Sequence, residues 1–250
     1  MRHAAREAAR AAMAGLGLLA LMHTAQAAGP ADFVFPAVVE AGEKELELKA
    51  GTAKLRDGTR VSEQVLSIGY GVNSHWFTEL GAKWHQEPGA HGFDAWEWEN
   101  RFQFTETGKY PVDVGFLLEI ERPRDRSEGW EYRWGPLFQA DLTPKVTANL
   151  NFLIEQQTQQ VPRSRPDLGY QWQLRYRWKE EFEFGAQGFG DLGPWNHWES
   201  SSNQSHILGP AVFGEVKVGG HGVKYNAGAL FGVTHGSPRN TLRLQLEYEF

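Results

Sequence analysis

The sequence contains no cysteine. Disulfide staples and thiolate metal sites are thereby excluded, and stability must rest on burial and backbone hydrogen bonding. Long apolar runs are missing too. After position 27 the longest is of the size of "VGFLL" (114–118), far short of a membrane-crossing helix. There is no basic excess: 25 Lys and Arg stand against 31 Asp and Glu, a formal net charge of −6 that argues against a nucleic-acid partner. No GxSxG, P-loop or dinucleotide-binding glycine pattern occurs, and nothing implies a cofactor or a metal. What the chain does have is tryptophan. Ten of them, in a sequence of mean hydropathy −0.50, fit a structure that hides its apolarity by alternation.

The first 27 residues stand apart. Arg2, Arg6 and Arg10 precede the apolar run 11–22, and "HTAQA" sets Ala25 and Ala27 in an A-x-A cleavage pattern. This reads as a cleaved secretory signal peptide, hence an exported protein. Residues 28–43, "AGPADFVFPAVVEAGE", hold two prolines and are not strand-like. They are expected either in the periplasm or as a plug ahead of a barrel at 44–250.

From there on the hydrophobic period is two. Strands are expected at 44–54, 63–72, 75–85, 95–104, 112–121, 130–140, 146–156, 170–178, 182–188, 208–218, 223–233 and 241–250. "AWEWENRFQF" (95–104) and "YQWQLRYRW" (170–178) alternate almost perfectly. Connections after even-numbered strands are short (72–74, 105–111, 142–144, 179–181, 219–222). Those after odd-numbered strands are mostly longer (55–60, 86–93, 122–129, 158–169, 189–206), with 234–240 brief. Short turns at one end and longer loops at the other suit an up-and-down antiparallel transmembrane β-barrel of about 12 strands. About 10 residues at roughly 3.4 Å each, tilted by about 45°, cover roughly 24 Å, the height of such a barrel's apolar band.

Alternation alone does not say which face is inside; a secreted sandwich would bury the apolar one. Aromatic residues of that face gather near strand ends, at Trp76, Trp84, Trp96, Trp98, Trp130, Trp172 and Trp178, as at a membrane interface. The polar face would then line a lumen, with Glu79, Lys83, Glu97, Glu99, Arg101, Glu119, Arg133, Glu155, Arg175, Arg177 and Arg243 as selectivity groups. Its acid excess favours cations. Loop 189–206, with Trp195, His197, Trp198 and Glu199, is a candidate constriction.

The last strand, "LRLQLEYEF", carries Leu244, Leu246, Tyr248 and a terminal Phe250. It resembles the C-terminal strand of Gram-negative outer-membrane β-barrel proteins, the porin-like class. That resemblance implies an outer-membrane location, lipid as surroundings, and recognition of these four residues by the barrel-assembly machinery. The expected function is a narrow passive channel for small hydrophilic solutes or ions. The alternatives are a closed, salt-bridged barrel with a structural or partner-binding role, and a lipid-acting hydrolase. The last rests on "HGS" (235–237), similar to the His-x-Ser pair of some outer-membrane lipid hydrolases. The acid twelve residues on is Glu249, at the far end of a strand and roughly 35–40 Å away, so no catalytic residue is assigned.

Overall fold

The computed structural model describes residues 29–159 and 165–250; the expected signal peptide lies outside them. The strands are β1 (Lys44–Lys54), β2 (Arg60–Asn73), β3 (Trp76–Glu87), β4 (Ala90–Gln103), β5 (Asp113–Pro123) and β6 (Glu131–Thr143). They continue with β7 (Val146–Gln157), β8 (Asp167–Lys179), β9 (Phe182–Pro194), β10 (Ser205–Val218), β11 (His221–Gly232) and β12 (Asn240–Glu249). Each pairs antiparallel with its chain neighbours, and β1 pairs with β12 to close the barrel. Leu46 faces Tyr248, Leu48 faces Leu246 and Ala50 faces Leu244 across that seam. The Phe250 amide then donates to the Lys44 carbonyl (3.0 Å). Closure leaves no edge strand to aggregate.

The barrel is inverted relative to a soluble protein. Glu79 is 5% exposed, whereas its neighbour Leu80 is 53% exposed. Leu46, Leu66, Ile68, Leu174, Leu208 and Leu242 likewise point out, and Glu45, Glu47, Glu99 and Glu119 point in. So much apolar surface is stable only against lipid. Among the described residues no helix is long and apolar enough to cross a membrane; the crossing is made by strands.

Two expected loops are strand instead. The 86–93 connection contracts to Pro88 and Gly89, with Gly89 at φ 92°, because a Pro-Gly pair makes the whole turn. Strand β9 continues past 188 to Pro194, so the expected 189–206 loop shrinks to 195–204. Glycines at the expected strand end and just beyond it are seats for neighbouring rings. A Cβ at Gly188 would overlap the Trp172 indole, and one at Gly190 the Tyr170 ring. In the 124–130 loop, the Ser127 amide and hydroxyl both donate to Asp125, which holds that carboxyl below its usual range.

The barrel's core is its lumen. Residues 29–43 run through it as an inner segment, with Ala31, Phe33, Phe35, Ala37 and Val39 all buried. Phe35 and Ala37 pack with Leu117, Leu137 and Leu153. Val34 packs on Phe189, Ile207 and Leu230.

Candidate functional site

The inner segment lies on glycines. A Cβ at Gly71 of β2 would overlap the Glu40 carbonyl, and one at Gly51 of β1 the Pro30 carbonyl. A Cβ at Gly115 of β5 would stand 2.9 Å from the Ala37 carbonyl oxygen. Glycine is required here for close backbone approach. The segment thus passes from the turn end of the barrel, beside Gly71, towards the loop end, beside Gly51. Its two prolines rule out an ordinary ladder, and inward side chains satisfy its backbone. The Val39 amide donates to Gln103 Oε1 (2.7 Å) and the Phe35 amide to Gln171 Oε1 (3.4 Å). Asn151 Nδ2 donates to the Phe35 carbonyl (2.9 Å), and Arg243 Nη1 to the Asp32 carbonyl (2.6 Å).

The charged candidates fall into separate groups. Lys49 joins Glu47 (2.7 Å), Glu79 (3.2 Å) and Glu99 (3.7 Å), and Arg101 pairs with Glu99 (2.9 Å) while lying over the Phe77 ring. Lys83 bridges Glu121 (2.9 Å) and Glu97 (3.6 Å). Arg133 holds Glu119 (2.7 Å) and reaches Asp32 of the inner segment (3.0 Å). Towards the turn end Arg175 pairs with Glu183 (3.2 Å) and Arg177 with Asp141 (2.8 Å). Arg243 stacks on Phe189, 4.2 Å from its centroid. Glu155 stands opposite Arg133 in the β6–β7 register and is exposed. Most of these charges neutralise one another locally, as charges removed from bulk water must.

Beside the charged half, carboxamides line the wall from β6 to β12. Asn149 donates to Gln139 (2.9 Å). Gln187 donates to Gln173 (2.7 Å) and Asn226 (3.2 Å), and Asn226 to Gln245 (3.2 Å). Between this wall and Val34 and Pro36 of the inner segment lies a cavity of about 400 Å³. On the charged side the spaces left are only about 20 and 60 Å³.

Other expectations change. Trp195 and Trp198 are 55% and 57% exposed, and His197 and Glu199 are exposed too. That loop does not fold inward; at its end of the barrel the inner segment occupies the lumen, with the Pro30 carbonyl against Gly51. Most of the aromatic set forms two belts. Trp84 and Trp96 sandwich Phe93, and Trp130 lies under Arg122, towards the loop end. Trp178 with Phe182, Trp76 with Phe102, and Tyr248 with Phe250 lie towards the turn end. Trp98 and Trp172 sit further in, opposite Leu80 and Leu150 respectively. Trp76 Nε1 also donates to Asn100 (3.1 Å), satisfying a polar group on the apolar face. The Ser237 hydroxyl is buried and tied to the backbone of His206 (2.7 and 2.8 Å) and to Thr234 (2.6 Å). It clamps a turn and is not presented as a nucleophile. Carboxylates of Glu43, Glu45 and Glu247 converge, but Lys224 already lies on Glu247 (2.9 Å) and Glu43 (3.4 Å).

Sequence reasoning missed Lys49, Glu121, Asp32 and the inward apolar residues. The signal for the last was present. Leu117–Leu118, Leu137–Phe138, Leu153–Ile154, Ile207–Leu208 and Leu230–Phe231 are adjacent apolar pairs that break the alternation. Each puts one apolar side chain on the inner face, where the inner segment packs.

No protein-family model matches the chain, and no curated protein does. Solved structures do. An outer-membrane channel from Pseudomonas putida F1 aligns over 87% of this chain and 98% of its own, at TM-score 0.63 and 10% identity. The NanC porin aligns over 82% and 100%, at 0.57 and 12%. The translocator domain of the autotransporter NalP from Neisseria meningitidis aligns over 98% of both chains, at 0.51 and 14%. At such identities the likeness is one of fold: this chain is an outer-membrane-type, porin-like β-barrel.

Proposed function

We propose that the protein is a porin-like channel of the outer membrane for small hydrophilic solutes or ions, held shut at rest by residues 29–43. The observation that carries this reading is the construction of the lumen. Its wall is largely polar and lined with hydrogen-bonding groups, and among its inward side chains runs a stretch of chain, 29–43, that belongs to no strand of the barrel. Two of the similar folds are described as a porin and a channel, which supports the same reading. The acid excess of the inner face favours cations once the segment moves, although pairing with Lys and Arg reduces the free charge. By the usual orientation of such barrels the turn end faces the periplasm and the inner segment enters from there.

A second reading is favoured by the ion pairs and glycine seats: a permanently closed barrel with a structural or partner-binding role. Single-channel recording in a planar bilayer under a KCl gradient separates the two. A cysteine pair placed at Ala37 and Leu117, which share one buried cluster, adds the decisive control, because the chain has no other thiol. Openings that vanish on oxidation and return on reduction support a segment-gated channel. Silence in every state, from protein that shows the heat-dependent gel shift of a folded barrel, supports the closed barrel. Openings untouched by the tether remove the inner segment from gating.

A further inference from the structure

The cavity beside the inner segment is built for a particular chemistry. Five half-buried or buried carboxamides, Gln139, Asn149, Gln173, Asn226 and Gln245, line it on the barrel side. Each carboxamide offers two donors and an acceptor on one rigid plane. The belt of bonds between them uses only part of that capacity. Gln139 and Gln173 accept from Asn149 and Gln187, while their own amide nitrogens donate to no protein acceptor among the described residues. Both cations of the lining are spent, Arg175 on Glu183 and Lys224 on Glu247 and Glu43, while Glu40, Glu180 and Glu215 add three carboxylates that accept hydrogen bonds and repel anions. Opposite the amides stand Val34 and Pro36, and the rings of Phe213 and Tyr225 add further apolar surface to the lining.

A ligand matching this surface has many groups that both donate and accept, an apolar C–H face, and no negative charge to set against the carboxylates. A sugar hydroxyl does both, and a pyranose presents such a face. A volume of about 400 Å³ is in the range of small-molecule sites and suits a mono- or disaccharide. We infer that this cavity is a binding site for an uncharged carbohydrate, entered from the turn end of the barrel. As the solute class of the channel this rests on the preceding reading; as a binding site it does not. The charged half of the lumen is no competitor, since its remaining spaces do not hold a sugar.

The test is equilibrium binding to the full chain in a zwitterionic detergent without a sugar headgroup. Saturation-transfer NMR and calorimetry are run with maltose, and with galacturonate and choline as anionic and cationic comparators. Saturable maltose binding is expected, with transfer to the ring C–H protons. Gln173→Leu and Gln139→Leu, on separate strands, are each expected to weaken it about tenfold, as loss of a hydrogen-bonding partner does. The heat-dependent gel shift checks that each variant is a folded barrel, and two independent variants guard against failure of one to fold. Absence of saturable maltose binding, tighter binding of either charged comparator, or equal affinity in both folded variants overturns the inference. Because the assay needs no ion flow, sugar binding by a silent barrel keeps the site and sinks the channel. Conductance without sugar binding does the reverse.

Discussion

Arg133 and Asp32 join the barrel wall to the chain inside it. The Arg133 Nη1 donates to Asp32 Oδ2 at 3.0 Å, while its Nε and Nη2 hold Glu119 of the neighbouring strand at 3.0 and 2.7 Å. The guanidinium is thus oriented by the wall before it meets the segment. Asp32→Asn removes the one charge the segment sets against Arg133 and leaves Arg133 paired with Glu119, so the barrel itself is spared. A charged hydrogen bond of this kind is worth about 1.5–3 kcal/mol, which corresponds to roughly a 10- to 150-fold shift in a two-state ratio. Bilayer recordings of D32N are expected to show open probability rising by up to that factor. Unchanged gating would mean that this bond does not restrain the segment.

The glycine seats supply an orthogonal test. In Gly51→Val the new side chain occupies the position of the Pro30 carbonyl, and the segment's N-terminal half must lift away. Limited proteolysis is expected to cut residues 29–39 at least tenfold faster than in the parent protein, consistent with an undocked segment. Gly81→Ala is the control: the three atoms nearest its Cβ belong to side chains of the wall, Val65, Ser67 and Glu97, the nearest at 3.1 Å, and not to the inner segment. Equal protection in G51V would show that the segment is held without that seat.

How much of this was legible beforehand depends on what carries the signal. Strand β1 runs from Lys44 to Lys54 as expected, and all twelve strands were anticipated, most as period-two runs, with the Gly-rich β9 six residues longer than its pattern suggests. The sequence misleads where a residue's reason lies on another strand. Gly188 looks like a strand end and Gly190 like loop, but they make room for Trp172 and Tyr170 of β8. The inner segment alternates too, at Ala31, Phe33, Phe35, Ala37 and Val39, yet Pro30 and Pro36 forbid a ladder. Its partners turn out to be the side chains Gln103, Asn151 and Gln171, scattered over the wall. No local pattern announces such pairing. The adjacent apolar pairs do, once both faces of a strand are read for packing.

Those pairs give the next prediction. Leu117 is fully buried in the lumen cluster, whereas Leu118, one residue on, faces outward. Leu117→Ala removes a core side chain and leaves a cavity against Phe35 and Ala37, at a cost of about 2–5 kcal/mol. At Leu118 the surrounding lipid fills in around the shortened side chain. Unfolding of the two alanine variants in lipid vesicles by guanidinium is therefore expected to show the larger loss for L117A, with L118A near the parent. Equal losses would mean that the lumen is not packed as a core.

The terminal phenylalanine separates assembly from stability. Tyr248 pairs with both Leu46 and Val223, so the closing seam does not need residue 250. Phe250 adds one backbone bond to Lys44 and a ring stacked on Tyr248 at 6.1 Å, with its own side chain 53% exposed. Its deletion costs the folded barrel little, in the range of surface changes of about 0.5 kcal/mol. If the barrel-assembly machinery reads Leu244, Leu246, Tyr248 and Phe250, the same deletion removes an element of recognition. The expected outcome is a split: refolding into detergent in vitro is nearly normal, while the amount inserted in cells falls severalfold and unfolded precursor accumulates. A parallel loss in both assays would place Phe250 in the stability of the seam. No loss in either would show that the last residue is not read at all, and that the tail's likeness to an assembly signal is one of pattern only.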